Sequence, residues 1–351
     1  MAIDGGMTGG QHMKTVELVR LRAFIRDAFL ACGVSGDDSA AAAEIFMRAT
    51  LRGIGHHDVR DLPSRFDGLL EGRINAAPEY RRLGAFRTME TWDVDRGLGE
   101  VTCSFAMERA MRLADEYGIG MCFIRNSNHF LAAAPYVELA AEDGYVAVLW
   151  CKGGMNMGTT GRTENCIGSL PMGYAFDAGG EAPVVFDACL AYTSHGELRA
   201  RAARGEPVEP WWGVDAEGKP TTDAAKLLAG TRMAIGGHKG YALSMLGEVL
   251  SGVFTGGWIM DLPPADERVD NHWGHTALVI KPEAIMDANT FRQRTATLLE
   301  RADALAPGVH IPGQGSHRRK ASMLSRGTVE LEDGIAVRLD EMAERLTISK
   351  L

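Results

Sequence analysis

Between residues 101 and 154 the hydrophobic pattern switches repeatedly between helical and extended periodicity, and this alternation limits the chain to an α/β architecture. VTCSFAMERAMRLADEYG (101–118) places apolar side chains at helical spacing, IGMCFIRNS (119–127) is an extended apolar run, HFLAAAPYVELAAEDG (129–144) is helical, and YVAVLWCKGG (145–154) is extended again. APVVFDACLAY (182–192) predicts a further buried strand, and residues 80–103 predict short extended runs with a turn at DRGLGE. Helical patterns flank this centre. TVELVRLRAFIRDAFLAC (15–32) ends at Gly33, and a second helix, capped by Asp37 or Asp38, stops at Gly53. HKGYALSMLGEVLSGVF opens after Gly236–Gly237, and the chain beyond about 285 is mostly helical. The expected organisation is a discontinuous, mainly helical domain (14–80 with 285–351) and an α/β domain (81–284).

Composition removes several classes of function. Acidic residues outnumber basic ones by 46 to 37, and no basic run interleaved with aromatics occurs, which argues against nucleic acid as a partner. No apolar run approaches the ~18 residues that cross a membrane. Cys32, Cys103, Cys122, Cys151, Cys166 and Cys189 are scattered without a CxxC pair, so reduced thiols and a cytoplasmic setting are expected. MAIDGGMTGGQHM (1–13) lacks the regions of a signal peptide and reads as a vector-encoded tag, which would put the natural start near Lys14.

The densest cluster of titratable groups is RGIGHHDVRDLP (52–63), on the connection after the second helix. A metal site is disfavoured there, because consecutive histidines in an extended segment point to opposite faces and further ligands must come from elsewhere. GVDAEGK (213–219) nearly spells a phosphate loop, but Pro220 stands where a hydroxyl is needed, so DAEGKP reads as a turn. GxGxxG and GxSxG are both absent, leaving no fingerprint for a Rossmann dinucleotide site or a nucleophile elbow. Asn128 and His129 stand between a predicted strand and helix, as either an N-cap or an anion contact. Gly236–Gly237 before His238–Lys239 offers close backbone approach with cationic donors, suiting a phosphate or nucleotide. Asp187 is a turn residue or a ribose acceptor. Arg318, Arg319 and Lys320 are within reach of a cofactor 2′-phosphate or, as the preferred reading, form a solvated helix face.

Five stretches together resemble the malate/L-lactate dehydrogenase-like family, which includes sulfolactate, ureidoglycolate and diketogulonate dehydrogenases and piperideine-2-carboxylate reductase. They are RGIGHHDVRDLP, SNHF (127–130), PWWGVDAEGKPTTD (210–223), GGHKGYALSMLGEVLSG (236–252) and IPGQG (311–315). The resemblance implies an α/β, non-Rossmann NAD(P)-binding fold: a mixed, largely antiparallel sheet wrapped by helices, N- and C-terminal helical segments packed together, and a homodimer. It implies NAD or NADP as cofactor, held by Val185, Phe186, Asp187, Cys189, His238, Lys239, Gly313, Gln314 and Gly315, with His129, Thr159 and Gly161 lining the same cleft. It also makes His57 the proton donor and acceptor beside a small-molecule substrate.

The chemistry is consistent with that role. Hydride arriving at a carbonyl or imine carbon builds negative charge that a histidine near its working pKa can compensate. The departures lie at the substrate end. Gly55–His56 replaces the family's Asp-Ser, Asp58 replaces a glycine, Gly158 replaces a proline, and Asp61 stands at the carboxylate-binding arginine. The expectation is therefore an oxidoreductase with an atypical substrate, with His56 and Asp58 assisting His57, Asp58 raising a histidine pKa, Arg60 and Asp61 contacting substrate, and Arg65 as the other arginine able to reach in. A nucleotide-binding protein with non-redox proton transfer and a metal-dependent hydrolase are the competing readings.

Overall fold

A computed structural model describes residues 13–159 and 161–351; the expected tag, apart from Met13, and Thr160 of the glycine-rich loop lie outside the described residues. The chain runs β1 (Met13–Glu17), α1 (Leu18–Ala31), α2 (Gly36–Arg52), α3 (Leu62–Leu70), β2 (Arg81–Phe86), β3 (Met89–Asp93), α4 (Gly99–Tyr117) and β4 (Ile119–Arg125). It continues through α5 (Ala134–Glu142), β5 (Val146–Lys152), β6 (Met172–Phe176), β7 (Val184–Ala188), α6 (His195–Arg204), β8 (Gly213–Val214), α7 (Ala224–Ala229) and β9 (Thr231–Arg232). The last elements are α8 (His238–Glu248), β10 (Gly274–Ile280), α9 (Ala288–Leu305), α10 (Gln314–Arg326), β11 (Thr328–Glu332) and α11 (Asp333–Leu346).

Seven strands form one sheet in the order β2-β3-β4-β10-β5-β6-β7. Only β3 and β4 pair in parallel; every other neighbour is antiparallel, so the sheet is mixed and largely antiparallel. Helices α4 and α5 cover one face, and α8 with the π-helical turn after it packs on the other. Among the described residues no helix is long and apolar enough to cross a membrane.

Several element ends follow different physics from the sequence reading. Residues 15–17 are extended, because Thr15 and Val16 alternate as strand residues and β1 pairs antiparallel with β11, Val16 opposite Val329. The cap of α2 is Ser35, whose hydroxyl accepts from Asp38 N; Asp37 and Asp38 sit in the first turn, where the helix dipole favours them. Helix α5 begins at Ala134, five residues later than the pattern implies. The irregular backbone before it includes Leu131 at φ +69°, and Leu131 N donates to His129 Nδ1.

One apolar cluster runs from α1 through β10 to α11, across the division expected at residues 80 and 285. Phe29 packs on Phe46 and Phe66 at ring centroids of 5.9 and 5.4 Å, joining α1, α2 and α3. A buried charged hub sits beside it. Glu138 of α5 accepts from Arg52 of α2 at 2.7 Å, from Arg48 at 3.3 Å and from Lys320 of α10 at 2.9 Å. Glu138→Gln should leave these cations short of a counter-charge and cost about 3 kcal/mol or more. A lowered denaturation midpoint would be the readout; an unchanged midpoint would show that α2, α5 and α10 are held by packing alone.

Candidate active site

Gly53 ends α2 in the left-handed region, and Gly55 at φ +80° turns the chain again immediately before His56. An extended segment would send His56 and His57 to opposite faces; this turn instead brings their rings to 4.2 Å and points both at the same space. Room for His56 comes from Gly196 at the start of α6, where a Cβ would meet the imidazole at 2.4 Å. Ser194 caps α6 by accepting from Glu197 N, and its hydroxyl shares a 2.8 Å hydrogen bond with His56 Nε2.

Two cavities meet here. The larger, about 850 Å³, is walled by Val185, Phe186, Asp187 and Cys189, by Gly313 at the start of α10, and by Arg52 and Arg319. The smaller, about 420 Å³, is lined by Asp61, Arg65, His129, Arg199, Arg232 and Trp273. His56, His57, Pro171, Cys189 and Ser194 line both and so form their junction.

The smaller cavity is organised around Arg65. Its Nε donates to Glu100 at 2.7 Å, while Nη2 lies 3.2 Å from Asp61 and 2.8 Å from His129 Nδ1. Burial opposes its charge, but Glu100 and Asp61 hold the guanidinium above its ordinary value. Burial lifts Glu100 above the usual carboxylate range, with Arg65 opposing, and its Oε2 has no partner among the described residues. His129 Nδ1 receives hydrogen bonds from both Arg65 and Leu131 N, so its proton resides on Nε2. Burial, with Arg65 and His57 beside it, holds that ring well below its ordinary pKa and therefore neutral. His57 is pushed down to about 3 by burial, reinforced by His56 and Arg65 and opposed by Asp61. Its Nδ1 is sealed from solvent with no partner among the described residues, which leaves Nε2 as the nitrogen free to exchange a proton.

Ligand atoms of His57, Asp61 and His129 also lie within 4.8 Å of one another, a spacing a metal ion can use. The Arg65 guanidinium already donates to His129 Nδ1 and faces Asp61.

Other expected site residues lie elsewhere. Asp58 is buried with its carboxylate on Arg60 N and Nη1, at 2.9 and 2.6 Å. Burial raises it to about 6, and it does not raise either neighbouring histidine: burial lowers both. Arg60 turns toward Asp58 and Glu332, away from both cavities. Thr159 and Gly161 belong to a loop whose Gly158 bonds the β9 backbone, and they line neither cavity. His238, Lys239 and Gln314 are exposed, and with Gly315 they stand outside the two linings, although Ile235 and Gly313 nearby are within the larger one. Asp187 accepts from Ala134 N at 2.9 Å, so the start of α5 is satisfied by the protein's own carboxylate rather than by an external anion at Asn128 or His129. DAEGKP is a turn, with Asp215 accepting from Glu217 N and Lys219 N. The sequence reading missed Glu100, Ser194, Arg199, Arg232 and Trp273 as site residues; Arg65 alone had a local signal, its i+4 spacing from Asp61.

Two joined cavities with an imidazole at their junction have the layout of an enzyme site in which one ligand meets another. The chain belongs to the malate/L-lactate dehydrogenase family, whose model matches residues 16–340. It is 28% identical over 335 residues to the L-sulfolactate dehydrogenase of Methanocaldococcus jannaschii, covering 93% of this chain and 96% of that protein. A solved sulfolactate dehydrogenase from that organism matches with a TM-score of 0.86 at 27% identity, over 96% of this chain and 98% of that one. The Δ1-pyrroline-2-carboxylate/Δ1-piperideine-2-carboxylate reductase of Pseudomonas putida is 28% identical over 93% of this chain and 94% of its own length. The ureidoglycolate dehydrogenase (NAD(+)) of Escherichia coli K12 is 25% identical over 90% and 92%.

Stability should follow these histidines. His57, His129, His195 and His275 are all held below their ordinary 6.5 by burial, the last two at about 4. Unfolded chains bind protons near pH 6.5 that the folded protein refuses, so this stability is complete above that pH and lost as pH falls through the folded values. Thermal unfolding should therefore be level from pH 7 to 8 and fall steadily below 6.5, less steeply in His275→Asn. An equal slope in that variant would remove His275 from the effect.

Proposed function

We propose that this chain is a nicotinamide-dependent oxidoreductase that interconverts a small 2-hydroxy acid with its 2-oxo acid, or a cyclic imino acid with its amine, using NAD or NADP. The observation that carries the reading is the position of His57 between a large cavity and a small one. The relatives support the same class: one is named for L-sulfolactate, one for ureidoglycolate with NAD(+), and one for reduction of cyclic imines.

The larger cavity fits a dinucleotide. Its volume lies in the usual range for cofactor sites. Gly313, at φ +84°, lets the start of α10 lie against β7, since a Cβ there would meet Val185 O at 2.7 Å. Arg319 adds positive charge beside that helix start, an arrangement suited to phosphate. This is a nicotinamide site outside the Rossmann architecture, served by a largely antiparallel sheet.

When bound, a reduced nicotinamide supplies a hydride to the carbonyl or imine carbon. His57 Nε2 gives the compensating proton in reduction and accepts it in oxidation. His129 offers a fixed Nε2–H to the oxygen or nitrogen on which charge develops, its ring held by Arg65 and edged against Trp273 at 5.0 Å. Arg65 thereby positions His129 instead of gripping a carboxylate, because its charge is committed to Glu100 and Asp61. Exposed Leu246, Val253 and Phe254 on α8 and the turn after it support a homodimer.

The test is a fluorescence titration of the tag-free protein with NADH and NADPH, followed by nicotinamide absorbance with 2-oxo acids and cyclic imines. Saturable binding of either cofactor and substrate-dependent oxidation are expected; failure of both cofactors to bind ends the redox reading. His57→Ala should lower kcat by about 10²- to 10⁴-fold with cofactor affinity nearly unchanged. Unaltered turnover would take His57 out of the mechanism.

A further inference from the structure

We propose that the anionic group of the substrate is held at the α6–β9 wall of the smaller cavity, by Arg232 and Arg199, and not at the α3 wall where Arg65 stands. Arg232 is 3% exposed. Its Nη1 donates to Thr193 O at 2.8 Å and its Nη2 to Asn156 O at 3.0 Å, both uncharged acceptors. Its Nε is buried with no partner among the described residues. Burial pulls its pKa down to about 10, and the one group opposing this is the Cys189 thiol; no carboxylate contributes. A guanidinium buried without a counter-ion is costly, and a ligand that supplies the anion offsets that cost.

Its surroundings suit an anion. Arg199 lies in the first half of α6 and lines the same cavity, with no ion pair among the described residues. His195 and Gly196, the first residues of α6, also line it, and the Ser194 side chain caps only the Glu197 amide. The opposite wall is electrically closed, since Arg65 is 2.7 Å from Glu100 and 3.2 Å from Asp61. Three guanidinium groups line this cavity against one carboxylate, Asp61, so a small carboxylate-class acid restores the balance. The inference takes from the proposed function only that the anion belongs to a substrate.

Calorimetric titration with oxalate, with and without NADH, tests the subsite without requiring turnover. Wild-type protein should bind oxalate saturably. Arg232→Leu should weaken it about tenfold to a hundredfold, Arg232→Lys less, and Arg199→Gln several-fold. Arg204→Gln, at the far end of α6, should leave it unchanged. Absence of wild-type binding, or undiminished affinity in both Arg232→Leu and Arg199→Gln, overturns the proposal. Should circular dichroism show Arg232→Leu unfolded, the exposed Arg199→Gln decides. Oxalate binding that depends on these arginines in a protein that binds neither NADH nor NADPH would uphold the subsite and defeat the redox reading. Cofactor binding with oxalate indifferent to both arginines would do the reverse.

Discussion

The carboxylate of Glu138 is buried where α2, α5 and α10 converge, and its two oxygens serve three cations from the other two helices. Its geometry does more than hold helices together. Arg52, bound to Glu138 on one side, donates to Ser316 at 2.7 Å on the other, and both residues wall the larger cavity. The same arginine ends α2, one residue before the loop that carries His56 and His57. A charge network that could have been replaced by apolar packing at similar stability is thus placed where it fixes direction. It sets the loop with the histidines at a defined angle to the start of α10, and the cavity between them is the result.

Asp61 gains its meaning from this frame. Family resemblance puts an arginine at that position, and its loss implies a vanished carboxylate clamp. In three dimensions a guanidinium still reaches the spot, one helical turn later, from Arg65. Its partners decide what it does. With Glu100 and Asp61 beside it and His129 Nδ1 at 2.8 Å, its donors are directed at protein atoms, and its effect passes through the histidine tautomer. On the proposed reading, Asp61 and Glu100 thus commit this cation to the scaffold, and the charge partner for a substrate anion falls to the opposite wall.

The legible part of the fold was the part with local causes. Helix and strand alternation through α4, β4 and β5, and the glycine stops at Gly53 and Gly118, follow from periodicity and from left-handed helix ends. Strand β1 escaped because its five residues are defined by a partner more than 300 positions away. The start of α5 escaped because Leu131 adopts a left-handed conformation that a helical pattern does not announce. Within the site, His57 and the wall from Val185 to Cys189 were visible as words in the chain. Glu100, Arg199 and Arg232 were not, since each looks like an ordinary helix or strand charge until the fold closes. The expectation that Asp58 would tune a histidine failed for a related reason: sequence adjacency says nothing about which way a carboxylate turns, and Asp58 turns to Arg60.

Neutral imidazoles beside several guanidinium groups carry a chemical consequence for the proposed reaction. Protonating His57 or His129 in the ligand-free cavity adds positive charge next to Arg65 in a desolvated space, so both rings stay neutral. A neutral His57 is a base, ready to take a hydroxyl proton in the oxidation direction. An anion seated against Arg232 and Arg199 changes that balance, because nearby negative charge favours the protonated ring. Charge growing on the substrate oxygen or nitrogen favours it further. On the proposed reading, an anionic substrate at this wall draws the His57 pKa up from its low value toward working pH in either direction, and Arg232 and Arg199, with no carboxylate partner among the described residues, couple binding to proton exchange.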